Sequence, residues 1–267
     1  MGWRDLPLLT RPLGLGALRV VAVVGASVLV CLAFAVPAAA LGESTRVAIL
    51  GVDLSDVNEA RPLARRRLAW EVRKRTSIET VLQPGRARLD DPRLFESPFL
   101  HWTGDRAFAS LSEAESTGLR RFVEFGGFVL VDDARPEDPG FDTSIRRELR
   151  RALGASLRPI ARDHTIFRSF YLVDRPFGRV WGPDTVEGLE LGGRLAVVYT
   201  RHDLGGALAR DNLGNWVHPV TPGGDDQRER AIRFGVNLVM YALCLDYKDD
   251  QVHAPFIMRR RGAGPRP

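Results

Sequence analysis

Five aspartates, Asp53, Asp105, Asp132, Asp133 and Asp203, follow apolar runs of the chain, and two histidines, His164 and His202, are available to join them. Carboxylates gathered with imidazole can hold a divalent cation or move protons at a substrate. The pattern therefore opens one chemical reading, a metal-dependent or acid/base hydrolase. Its leading candidates are Asp132, Asp133 and His164, with Asp53, Asp105, His202 and Asp203 behind them as ligand-binding positions. The competing reading is structural. Aspartates after strands commonly cap the next helix or close an Asx turn, and His164 can orient its own loop. No H-E-x-x-H, D-x-D-x-D-G or paired C-x-x-C spacing occurs, so no metal is assigned. Trp216, in Asn215-Trp216-Val217-His218, is a candidate for lining a groove.

Positioning these residues requires a sheet. The segment Leu111 to Ala134 is the clearest part of it. Ser112 and Glu115 form an S-x-x-E capping box ahead of apolar positions at Leu119, Phe122 and Val123. Gly126-Gly127 then stops the helix, and Phe128 to Val131 reads as a strand covered on both faces. The chain leaves that strand at Asp132-Asp133, the edge where open α/β sheets place ligands. Other strands are expected at Arg46–Val52, Ile78–Leu82, Pro98–Trp102 and Arg194–Thr200. Helices are expected from Pro62 to Thr76, from Phe141 to Leu153 with Asp142 or Thr143 as cap, and from Asp225 to Leu245. On the first, Leu63, Arg67, Trp70 and Lys74 fall along one line. Strands alternating with helices predict an α/β domain with a mostly parallel sheet and helices on both faces. Ala155 to Glu190 breaks the rhythm and reads as an inserted irregular or hairpin lobe.

The ends differ in kind from the middle. Arg4, Arg11 and Arg19 precede an uncharged run, Val20 to Val36, followed by Pro37 and three alanines, a layout that predicts a secretory signal peptide over residues 1–40. The run sits at the short limit for crossing a bilayer, so an uncleaved anchor touching the membrane through residues 20–36 is the alternative. Either form puts the α/β domain, residues 44–246, outside the cytoplasm, in the periplasm or held facing outward. Residues 247–267 read as a flexible basic tail. After cleavage only Cys244 remains, expected as a small buried hydrophobe in an apolar helix. Of 38 basic residues only Lys74 and Lys248 are lysine, an excess of arginine consistent with GC-rich codon usage. The arginines alternate with acids, which argues against nucleic acid as a partner. No phosphate loop occurs, which argues against a nucleotide, and no cofactor is implied.

The blocks DPRLFESPFLHWTGD, LSEAE through FVLVDDA, RDHTIF and GRLAVVYTRHDLGGAL, in this order, make the chain resemble the family catalogued as domain of unknown function 4159. The resemblance implies a fold similar to class I glutamine amidotransferases and other flavodoxin-like domains. It also implies exported or membrane-associated relatives, and hence an envelope or membrane protein as a possible partner. In amidotransferases the strand after such a turn leads to an elbow bearing a cysteine. Here that position reads Val131-Asp132-Asp133-Ala134, with neither cysteine nor serine, so a covalent nucleophile is not expected. Three readings follow: a non-catalytic binding or scaffold module of the cell envelope, the hydrolase above, or a subunit of a membrane-associated complex.

Overall fold

The computed structural model describes residues 46–261, with side chains as far as Cys244. The segment read as a signal peptide or anchor, the run 20–36 and the last residues, 262–267, lie outside the described residues. Among the described residues no helix is long and apolar enough to cross a membrane.

The apolar runs form the middle of a seven-stranded sheet. In chain order the strands are β1 (Ile49–Val52), β2 (Arg86–Ala87), β3 (Phe99–Gly104), β4 (Phe128–Asp133), β5 (Arg158–Pro159), β6 (Glu187–Leu191) and β7 (Arg194–Thr200). Their spatial order is β2-β1-β3-β4-β7-β6-β5. The first five in that order run parallel, while β6 and β5 add an antiparallel edge. Ala155 to Glu190 thus supplies the edge strands, a short 3-10 turn at Thr165–Phe167 and irregular chain between them.

Helices α1 (Ala64–Arg75), α2 (Glu113–Glu124), α3 (Pro139–Leu153), α4 (Leu204–Leu208) and α5 (Gly224–Arg261) cover the sheet. Side chains alternate across a strand, so each central strand feeds two cores. Phe99, Phe128 and Leu130 pack with Leu68, Leu204 and Phe234 of α1, α4 and α5. Leu100, Trp102, Val129 and Val131 pack with Leu119, Phe122 and Ile145 of α2 and α3 on the other face.

The capping box is present: Ser112 accepts from the Glu115 amide at 3.2 Å, and Glu115 from the Ser112 amide at 2.9 Å. Gly126 ends α2 with a φ of 104°, open to glycine but strained for any side chain. Four expectations change. The second strand lies at Arg86–Ala87, and Ile78 to Leu82 contributes one isolated bridge, Thr80 to Val47, before Pro84, which has no amide for a ladder. Helix α3 begins earlier, at Pro139, because Asp138 caps the Gly140 amide at 2.9 Å. Helix α5 runs on to Arg261 through most of the segment read as a flexible tail, past Pro255. Cys244, read as buried, is exposed, because it falls on the outward side of that helix.

Candidate functional site

Strand β4 continues two residues past its apolar run, and that extension decides how its aspartates are used. Asp132 and Asp133 are still in the pleat, so they point to opposite faces of the sheet. Both are fully buried.

Asp132 faces the α1 side. Its two carboxylate oxygens accept from the Leu204 amide at 2.8 Å and the Gly205 amide at 2.6 Å, tying the start of α4 to the sheet. Gly205 permits this approach: a Cβ there would stand 2.9 Å from Asp132 Oδ2 and from Arg61. His101 Nε2 lies 3.6 Å from the same oxygen, with neither ring nitrogen hydrogen-bonded.

Asp133 faces the α3 side. It accepts from the Arg135 amide at 3.0 Å and lies 3.1 Å from the Tyr199 hydroxyl. That hydroxyl is also 2.9 Å from Asp142 Oδ1, so one proton stands between two carboxylates. Burial pushes the Asp133 carboxyl up to about 6. Burial, with the charges of Asp133 and Asp142, also pushes the Tyr199 hydroxyl up.

Asp203 follows β7 in the left-handed conformation, with φ at 51°, a strained geometry for a residue other than glycine. Its surroundings hold it there. Arg61 grips both carboxylate oxygens as a fork, each contact 2.8 Å, and Arg179 adds a third contact. The Gly206 amide donates to Asp203 at 2.9 Å. Arg61 also donates to the Ala134 carbonyl at 3.1 Å and lies 3.2 Å from His218 Nε2. Burial, then the Arg61 charge, lowers the His218 ring. Arg61 is therefore the hub of the carboxyl edge, and the sequence reading passed over it. The available signal was its place in Arg61-Pro62, immediately before α1, where the chain must return to that edge.

The other candidates are dispersed. Asp105 pairs with Arg106 at 2.8 Å, and Asp53 with Arg86 at 3.4 Å across a half-exposed surface. His202 is buried between the Thr200 hydroxyl and the Pro183 carbonyl, each 2.9 Å away. Burial pushes its ring down to about 4, so it is neutral and structural. His164 lies elsewhere. It caps its own 3-10 turn through the Ile166 amide and packs against Tyr241, which accepts from Leu195 at the amino end of β7. It is thus at the opposite edge from Asp132 and Asp133, because the lobe carrying it packs on the antiparallel side. Among the described residues no group of three or more His, Cys, Asp or Glu side chains is placed to hold a metal ion. Trp216 is stacked by arginines, with Arg210 3.8 Å and Arg228 4.1 Å from its ring centroid.

The parallel strand order and the two covering layers of helices define an α/β domain of flavodoxin-like layout. The chain belongs to the family of the domain of unknown function (DUF4159), whose model matches residues 46–243. Comparison with curated proteins gives no match.

Proposed function

We propose that this domain is a non-catalytic binding or scaffold module of the cell envelope, exported by the apolar N-terminal segment. The observation that carries the reading is the commitment of its carboxylates. Asp132 is used by main-chain amides, Asp203 by two guanidinium groups and an amide, and Asp133 by an amide and Tyr199. A general base needs a lone pair aimed at a substrate, and a nucleophile needs a base beside it. The sheet edge offers neither arrangement, while its charges lock loops together as a scaffold requires.

The test pairs fractionation with turnover. The protein is expressed in its native host, and the N-terminus of the mature form is read by mass spectrometry. A start at Leu41, or an intact chain in the membrane fraction, supports export. Soluble cytoplasmic protein with Met1 intact refutes it. Chromogenic esters, phosphates, glycosides and peptides are assayed in parallel, with Asp133→Asn as control. Turnover by the wild type that the variant loses would overturn the non-catalytic reading.

A further inference from the structure

Trp70 and Trp216 are both covered by cations. On α1, Arg67 lies 4.2 Å and Lys74 4.7 Å from the Trp70 ring centroid. These are members of the line Leu63, Arg67, Trp70 and Lys74, which is the outward side of the helix, since Leu68, Ala69 and Val72 take the core. Across from it, Arg210 stacks on Trp216, with Arg228 and Arg67 also over that ring. Between α1 and the chain after Ala209 runs a groove of about 340 Å³ whose lining includes Leu63, Arg66, Arg67, Leu82, Arg210 and one carboxylate, Asp211.

The cations here are unequally committed. Arg228 is spent on the Ala207 and His218 carbonyls, each at 2.7 Å, and Arg67 pairs with buried Glu71, which Arg75 shares. Arg66 has one contact, to Asn212 at 3.3 Å. Arg210 has no hydrogen bond or ion pair among the described residues, and its Nε, like those of Arg67 and Arg228, is buried without a partner. The local carboxylates do not answer it. Asp211 is turned into its own loop by the Leu213 and Asn215 amides, and Asp225 is almost fully exposed at 3.9 Å from Arg228. Burial first, with the Arg210 charge adding to it, lowers both Arg67 and Arg228.

We infer that this groove binds an acidic peptide segment of a partner protein, one in which glutamate or aspartate alternates with apolar side chains. The inference rests on the binding-module reading and gives it a partner class. A guanidinium stacked on an indole keeps its in-plane N–H donors free, and these match a carboxylate as a two-pronged fork. Leu63 and Leu82 give the apolar side chains between the acids a surface to cover. Nucleic acid fits less well, because bases need open aromatic faces to stack on, and cations already cover both rings.

The test uses the full-length chain and a dye-labelled peptide of alternating glutamate and leucine, followed by fluorescence anisotropy. Binding is expected, weakening as salt rises, with no binding of the matching lysine–leucine peptide. Arg66→Glu and Arg210→Glu should each weaken it about tenfold or more, since a like charge then faces the ligand. Arg210→Lys should give a smaller loss, because the charge stays while the fork goes. Arg66 is exposed, so its reversal keeps the fold, which a thermal melt verifies. Failure of the acidic peptide to bind, or binding that ignores both reversals, overturns the inference. So does tighter binding of an oligothymidine strand or of phosphatidylglycerol vesicles at the same arginines. None of these outcomes touches the turnover assay on which the non-catalytic reading stands.

Discussion

Asp133→Asn should stabilise the protein above neutral pH, which is unusual for replacing a fully buried charged residue. The carboxyl is pushed from an ordinary value of 3.8 up to about 6 by burial. A group whose folded value is raised contributes stability below its unfolded value, and that contribution is lost as pH rises through the folded one. Between pH 4 and 7 the wild type therefore gives up about 3 kcal/mol at this position, at about 1.4 kcal/mol for each unit. Asparagine has no charge to bury. Its carbonyl keeps the Arg135 amide, and its amide can donate to the Tyr199 hydroxyl, freeing that single proton for Asp142 at 2.9 Å. The difference in unfolding free energy between variant and wild type, from urea titrations at pH 4 to 8, should start near zero. It should rise to a plateau of up to about 3 kcal/mol in favour of the variant. Using the difference cancels the carboxylates with opposite slopes, such as Glu229, which Arg75 holds down at about 2. A variant that is less stable than the wild type at pH 8, or a flat difference across the range, would refute the assignment of a buried, reluctantly ionised carboxyl.

Three further outcomes follow from the same geometry. Gly126→Val should lower the urea midpoint by an amount worth roughly 1–3 kcal/mol, because φ is 104° there; an unchanged midpoint would mean α2 ends some other way. Asp203→Ala leaves Arg61 and Arg179 facing each other without their shared anion and should cost about 3 kcal/mol in chemical denaturation, a loss below about 1 kcal/mol counting against the hub. The exposed Cys244 should be alkylated in the native state, read by mass mapping of its peptide, and protection until denaturant is added would contradict its placement.

The fold was legible where local rules act. The periodic apolar positions, the Ser112–Glu115 box and Gly126 mark α2 and β4, and Arg194–Thr200 is read as a strand residue for residue. The placement of the aspartate pair was hidden for one reason: the apolar run stops at Val131 while the strand continues to Asp133. Read as a loop, the two carboxylates look like neighbours at one site; read as pleat, they are separated by the sheet. His164 escaped for a different reason, since the lobe around it has no periodicity to say which sheet edge it meets. Arg61 and Asp203 are 142 positions apart, and nothing local at either end announces their fork.

The arginine excess, which codon usage accounts for as composition, takes on a physical role once the contacts are known. Arg120 donates to the Ala152 carbonyl and Arg194 to the Gly127 carbonyl, each reaching a terminus of a neighbouring element. Arg228 reaches two carbonyls at once and Arg61 a carboxylate and a carbonyl. The roles of Arg194, Arg228 and Arg61 need several N–H donors fixed in a plane, which an ammonium does not have. The fold thus spends several of its guanidinium groups on loop and helix ends, including the carboxyl edge of the sheet, where open α/β sheets place ligands. Arg210 and Arg66 are less committed, on the face beside α1. On the proposed reading, this is why binding leaves the carboxyl edge: the charges there are already holding the scaffold, while less committed cations lie around Trp70 and Trp216.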